Sequence, residues 1–193
     1  MNDGAHAYTF DAENRILKVD STAATYTYNP IGNRVRKDVG ATSTEYFYFG
    51  SEIIAELNPA TGVFTNYVYF NGGRVARRDP SGSVFYYFTD LIHSSSVVTD
   101  SGGTIKAESD YYPWGGELQL VNNDTNHYKF SGKERDSESQ LDFFGARYYG
   151  NALGPNAGLG RRTGDRSLCI FWRSAEPEFV FICEEQSGRE SGH

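Results

Sequence analysis

Aromatic and polar residues alternate in short bursts along most of this chain. Tyr8-Thr9-Phe10 runs into Asp11 and then Asn14-Arg15-Ile16, and Tyr26-Thr27-Tyr28 runs into Asn29 and then Asn33-Arg34-Val35. Tyr46-Phe47-Tyr48-Phe49, Tyr67-Val68-Tyr69-Phe70 and Phe85-Tyr86-Tyr87-Phe88 continue the series, and Tyr111-Tyr112 and Tyr128-Lys129-Phe130 extend it with looser spacing. Successive side chains of a strand point to opposite faces, so Tyr-x-Tyr sets two rings on one face. Each burst is followed by residues that reverse a chain. Examples are Asp11-Ala12-Glu13-Asn14, Asn29-Pro30-Ile31-Gly32-Asn33, Asn58-Pro59-Ala60-Thr61-Gly62, Asn71-Gly72-Gly73 and Asp79-Pro80-Ser81-Gly82. A second alternating run comes next, as in Arg15-Ile16-Leu17-Lys18-Val19 or Arg74-Val75-Ala76-Arg77. A unit of about 20 residues is what two strands of roughly 5–7 residues and two turns consume. The pattern predicts an all-β chain, a train of antiparallel β-hairpins from residue 6 to about residue 149.

Composition supports strands over helices. The chain holds 14 Tyr and 13 Phe but one Met, and aromatic residues suit a pleated, half-buried surface. A net charge of −7 argues against wrapping nucleic acid, which needs clustered Lys and Arg. No apolar run approaches the ~20 residues of a membrane span. Met1 to Tyr8 is polar and offers no hydrophobic signal region, so no export signal is expected within the chain. Cys169 and Cys183 fall near the C-terminus, with no CxxC spacing. That rules out a disulfide scaffold and a cysteine metal site.

The Tyr-x-Tyr/Phe-Asp/Asn units resemble YD repeats of the Rhs (rearrangement hot spot) type. Four further segments resemble the Rhs repeat-associated core, in order. These are Tyr87-Phe88-Thr89-Asp90-Leu91-Ile92-His93-Ser94-Ser95, Tyr112-Pro113-Trp114-Gly115-Gly116-Glu117, Tyr128-Lys129-Phe130-Ser131-Gly132-Lys133-Glu134-Arg135-Asp136, and Asp142-Phe143-Phe144-Gly145-Ala146-Arg147-Tyr148-Tyr149. The resemblance covers roughly residues 7–154. It implies a large hollow β-shell built by an open spiralling sheet, as in bacterial insecticidal toxin complexes and animal teneurins. In bacterial relatives such a shell encloses a C-terminal toxin. The implied domains are YD repeats over 1–84 and the core over 85–154. The family usually reads Asp-His-Leu-Gly-Ser where this chain has Asp90-Leu91-Ile92-His93-Ser94, so an altered loop is expected there. The family's self-cleaving Asp-Pro-x-Gly element is not found after residue 149. Asp79-Pro80-Ser81-Gly82 matches it as a string but reads as a hairpin turn.

Candidate chemistry is sparse, and no catalytic, cofactor-binding or metal-ligating residues are expected. His6, His93, His127 and His193 show no ligand spacing. His93 and Ser94, as neighbours on an extended chain, would diverge rather than form a nucleophile and base. Glu134, Asp136, Glu138 and Asp142 alternate with Lys133 and Arg135 and read as a solvated loop. Asp100-Ser101-Gly102-Gly103-Thr104 reads as a turn, short of the oxygen ligands calcium requires. Trp114 beside two glycines is the best candidate for stacking on a sugar. The expected role is therefore structural: wall material of a toxin-enclosing shell, secreted or at the cell surface as part of a longer protein. The expected partners are the remaining repeats and the enclosed toxin. A cell-surface carbohydrate is the alternative partner, and a short C-terminal toxin tip is the third reading.

The last stretch breaks the pattern. All 14 Tyr and all five Lys lie at or before Tyr149. Shifted by one nucleotide, codons compatible with residues 157–192 encode a continuation opening Pro-Asp-Trp, close to the segment that family members carry after the core. Residues 155–193 are therefore expected to be an out-of-frame tail without periodic hydrophobics.

Overall fold

The computed structural model describes residues 6–145 and 147–151. The out-of-frame tail expected over 155–193, with His193, Cys169 and Cys183, lies outside them.

Twelve strands follow one another as the aromatic bursts up to Tyr111 predict. The train of hairpins expected to about residue 149 ends instead at residue 122, and the burst Tyr128-Lys129-Phe130 passes from an isolated bridge at Tyr128 into a 3-10 turn. The twelve strands are β1 (Tyr8–Phe10), β2 (Ile16–Val19), β3 (Ala24–Tyr28), β4 (Arg34–Val39), β5 (Thr42–Phe49) and β6 (Glu52–Asn58). Then come β7 (Val63–Phe70), β8 (Gly73–Arg78), β9 (Val84–Thr89), β10 (Ser95–Asp100), β11 (Ile105–Tyr111) and β12 (Glu117–Asn122). They form one antiparallel sheet in chain order, from β1 to β12, without closing on itself. Three short strands, β13 (Glu134–Arg135), β14 (Leu141–Phe143) and β15 (Tyr148–Gly150), make a second antiparallel sheet.

The turns show what the acidic or amide residue after each aromatic pair does. Asp11, Asn29, Asp90 and Asp100 each open a five-residue turn. The first residue's N–H donates to the fifth residue's carbonyl. Its side-chain oxygen accepts the N–H groups of the third and fifth residues, at 2.7–3.1 Å. The fourth residue must then take positive φ, and Gly103 does so at +81°, where glycine carries no Cβ penalty. His93 occupies the same position at +66° and makes the same bonds. The altered loop expected at Asp90–Ser94 is thus an ordinary member of the turn series. Asp79–Ser83 is also a turn, as expected.

The two tyrosines of a pair divide the work. The second reaches back to a backbone carbonyl at the far end of the preceding strand. Tyr28 donates to Ile16 O at 2.7 Å, Tyr48 to Arg34 O at 2.8 Å and Tyr69 to Ile53 O at 3.1 Å. The first, Tyr26, Tyr46 or Tyr67, is buried, as is Tyr87 at the matching place on β9, on the face that the C-terminal part of the domain covers.

That covering segment, residues 124–151, is a strap. It runs back over the sheet: Asn126 meets Tyr87 on β9, Tyr128 meets Tyr67 on β7, Glu134 meets Tyr46 on β5 and Glu138 meets Tyr26 on β3. Adjacent strap residues also touch strands eight apart. Glu134 bonds Arg34 on β4, while Arg135 bonds Glu117 on β12. In a flat sheet those strands would lie about 38 Å apart, so the sheet curls around the strap. Leu141 joins Tyr8, Ile16, Val19, Ala24 and Tyr26 in one apolar cluster, and Tyr87, Val98 and Ala107 form another.

Candidate functional site

The strap face carries two arginine boxes. Arg34 opens β4 and is fully buried. Its guanidinium lies 4.9 Å from the Tyr26 ring, 5.4 Å from Tyr46, 4.3 Å from Phe143 and 5.8 Å from Tyr148. Nη1 donates to Asp136 at 2.7 Å and Nη2 to Glu134 at 2.7 Å. Lys37, three residues on, bonds the same two carboxylates at 2.8 and 2.6 Å, with Glu138 3.8 Å away. Burial would raise the Glu134 carboxyl, but Arg34 and Lys37 outweigh it and hold the group well below the usual carboxylate range. Tyr46 and Tyr26 donate to Glu134 and Glu138 at 2.9 and 2.7 Å, and burial pushes both phenols up. Removing one partner from such a network strands a buried charge, at a cost of about 3–5 kcal/mol.

Glu134, Asp136 and Asp142 are therefore not in a solvated loop, as their alternation with cations suggested. They are 3%, 0% and 0% exposed. The reason is that β13 lies between two charged surfaces. Glu134 and Asp136 point to Arg34 and Lys37, while Arg135 points the other way, to Asp142 at 2.8 Å and Glu117 at 2.8 Å. Glu117 also takes Lys129 at 3.0 Å. Burial raises the Asp142 carboxyl against the pull of Arg135 and Asn151.

The second box sits on β8. The Arg74 guanidinium lies 3.4 Å from the Tyr128 ring, 4.9 Å from Tyr67, 5.1 Å from Tyr69 and 6.0 Å from Tyr87. Its hydrogen bonds go to Tyr69 Oη at 2.5 Å and Gly132 O at 3.3 Å. Between the boxes, Glu56 on β6 accepts from the Tyr128 hydroxyl and bonds His127 Nε2 at 2.8 Å. Burial opposes both charges, yet each partner holds the other: Glu56 is lowered and His127 raised. Arg77 closes the series on Asp124 at 2.6 Å.

Among the described residues, the arrangement binds a strap. Glu134 and Asp136 converge on shared cations rather than flanking a cleft, as glycoside hydrolysis would require. No group of three or more metal-ligating side chains is found among the described residues. His93 lies in its turn with its ring against Gly73, and Ser94 bonds the backbone N–H of Ser131 at 3.1 Å. Trp114 stacks on Tyr112 at 4.8 Å with the planes 3° apart, and its carbonyl accepts the Tyr149 hydroxyl. His6 bonds Asp20 at 2.7 Å. Sequence reasoning passed over Arg34, Lys37 and Arg74 as sites. One signal was present: the acid–base alternation of Lys133-Glu134-Arg135-Asp136 with period two, the mark of a strand between charged walls.

Known proteins resemble this chain along the same lines. The family described as the Teneurin YD-shell matches residues 1–155. The tRNA(Glu)-specific nuclease WapA of Bacillus subtilis subsp. natto is 35% identical over 158 residues, covering 77% of this chain and 7% of that protein. The tRNA3(Ser)-specific nuclease WapA of Bacillus spizizenii is 30% identical, with the same coverage. Among solved structures, TcdB2-TccC3-Cdc42 superposes with a TM-score of 0.61 at 23% identity, over 77% of this chain and 9% of that one. TcdB2-TccC3 gives 0.57 at 20%, over 78% and 9%. The chain thus spans less than a tenth of the length of these relatives, and the structural likeness speaks for the fold alone. With the family matched over four-fifths of its length and its tyrosine units forming the sheet, the chain belongs to the teneurin YD-shell family of Rhs/YD-repeat proteins.

Proposed function

We propose that this chain is the terminal part of the wall of a YD-repeat shell that encloses a C-terminal toxin, and that it acts without catalysis. Residues 1–84 are repeat wall, and residues 85–154 are the core that turns back onto it. The observation that carries the reading is the strap: the wall's own downstream segment is held on the tyrosine face by buried ion pairs. That fixes the curl of an otherwise open sheet and the direction in which the chain leaves it. Among the described strands the sheet runs in chain order from β1 to β12, the arrangement of a stretch of repeat wall. Cleavage of tRNA is named for the Bacillus relatives, of whose length this chain spans 7%. Such a shell is secreted or surface-bound, and no helix among the described residues is long and apolar enough to cross a membrane.

The test is protease protection of the full reading frame with its downstream cargo. Cargo should resist protease in the parent and become cleavable in Arg34→Glu. Equal cleavage in both would overturn the shell reading. The carbohydrate alternative predicts a glycan-array signal that disappears in Trp114→Ala.

A further inference from the structure

The two boxes are copies of one repeat. Arg34 and Arg74 are 40 residues apart, while Tyr26 and Tyr67, and Tyr46 and Tyr87, are 41 apart. Arg34 is the first residue of β4 and Arg74 the second of β8, and each sits among four aromatic rings. In the first box the strap supplies two carboxylates. In the second it supplies the Gly132 carbonyl. Arg74 is 5% exposed, yet among the described residues its bonds go to neutral oxygens. Of the other arginines on β4 and β8 that are as deeply buried, Arg34 and Arg77 both hold carboxylates. A buried guanidinium left without an anion is unfavourable.

Beside Arg74 is a cavity of about 420 Å³ whose lining includes Tyr69, His93, Ser131, Lys133 and Glu52. Arg74, Lys133, His93 and Ser131, all side chains able to donate to an anion, line it, and Glu52 is the one carboxylate among the described lining residues. We propose that this cavity is a carboxylate-binding site, the counterpart in the second box of the place Asp136 and Glu134 fill in the first. The ligand comes from outside the two sheets, either as a free small carboxylate or as an Asp or Glu side chain on another polypeptide segment. The site is independent of the shell reading, since it rests on the repeat alone.

Calorimetric titration of the 193-residue chain with sodium acetate, and separately with a short Glu-containing peptide, tests it at ionic strength held constant with chloride. Saturable binding is expected, at about 1 mM or tighter. Lys133→Gln should weaken it at least tenfold, because one of the cavity's cations is gone. His93→Asn, which keeps a residue tolerant of positive φ, should weaken it less. A peptide binding at least tenfold tighter than acetate identifies a polypeptide source, and equal affinities identify a free carboxylate. Arg74→Gln should abolish binding. If that variant fails to fold, Lys133→Gln decides, since Lys133 lies at the cavity and outside the ion-pair network described above. Absence of saturation for both ligands, or an unchanged affinity in Lys133→Gln, would overturn the proposal.

Discussion

The Arg34 and Arg74 boxes begin from the same sequence unit and end differently. Both present a buried guanidinium among tyrosines. Over Arg34 the strap lays Glu134 and Asp136; over Arg74 it lays a tyrosine ring, 3.4 Å away, and a backbone carbonyl. The repeat therefore fixes the socket, and the strap decides what fills it. A charged socket filled by carboxylates is a latch. One filled by a ring is a packing contact with charge to spare.

The largest expected effect breaks the latch. Arg34→Met should destabilise the chain by about 3–5 kcal/mol, because it strands two buried carboxylates beside Lys37 alone. Urea unfolding would read this as a lower midpoint at an unchanged slope. Arg74→Met should cost less, on the order of 1–2 kcal/mol, because it removes cation–π and packing energy and strands no charged partner. Equal costs at the two positions would erase the distinction between the boxes.

The pH profile sharpens the comparison further. Glu134 and Glu56 are held below the ordinary carboxylate value of 4.5. Their contribution is present above 4.5 and is lost as pH falls through their lowered folded values. His127 is held above 6.5, so its contribution is complete below 6.5 and is lost as pH rises through its raised folded value. Thermal melts should therefore be most stable between about 4.5 and 6.5 and decline on both sides. His127→Gln should flatten the alkaline limb and remove the part of the acid limb that Glu56 owes to His127, while the part from Glu134, in the Arg34 box, stays in place. The smallest change expected is at His93→Gly. Relief of the left-handed backbone, roughly 1 kcal/mol, is offset by a more flexible unfolded chain and by loss of the ring against Gly73. The melting temperature should barely move.

Much of the fold could be read locally. A Tyr-x-Tyr run has one strand-like interpretation, and Asp or Asn before a glycine at the fourth position has one turn-like interpretation. That is why the hairpins, the turns at Asp79 and Asp100 and the single in-order sheet were all legible. The site was not, because it depends on a contact between segments about 100 residues apart. Glu134 and Arg34 bear no local sign of each other. A run of alternating charges is usually solvated, and only the curl of the sheet turns it into a strand walled by cations on one side and carboxylates on the other. The division between the tyrosines of each pair was hidden for the same reason: alternation says they share a face, not that the second reaches a sheet carbonyl while the first lies buried under the strap.

The central claim is that Arg34 and the strap carboxylates act as one unit. A double-mutant cycle with Arg34→Met and Asp136→Asn, read by urea unfolding, tests it most directly. The account predicts strong non-additivity: the double variant should be more stable than the sum of the single losses implies, by at least about 1 kcal/mol. Additivity within roughly 0.5 kcal/mol would mean that the strap is not held by this latch, and would contradict the account.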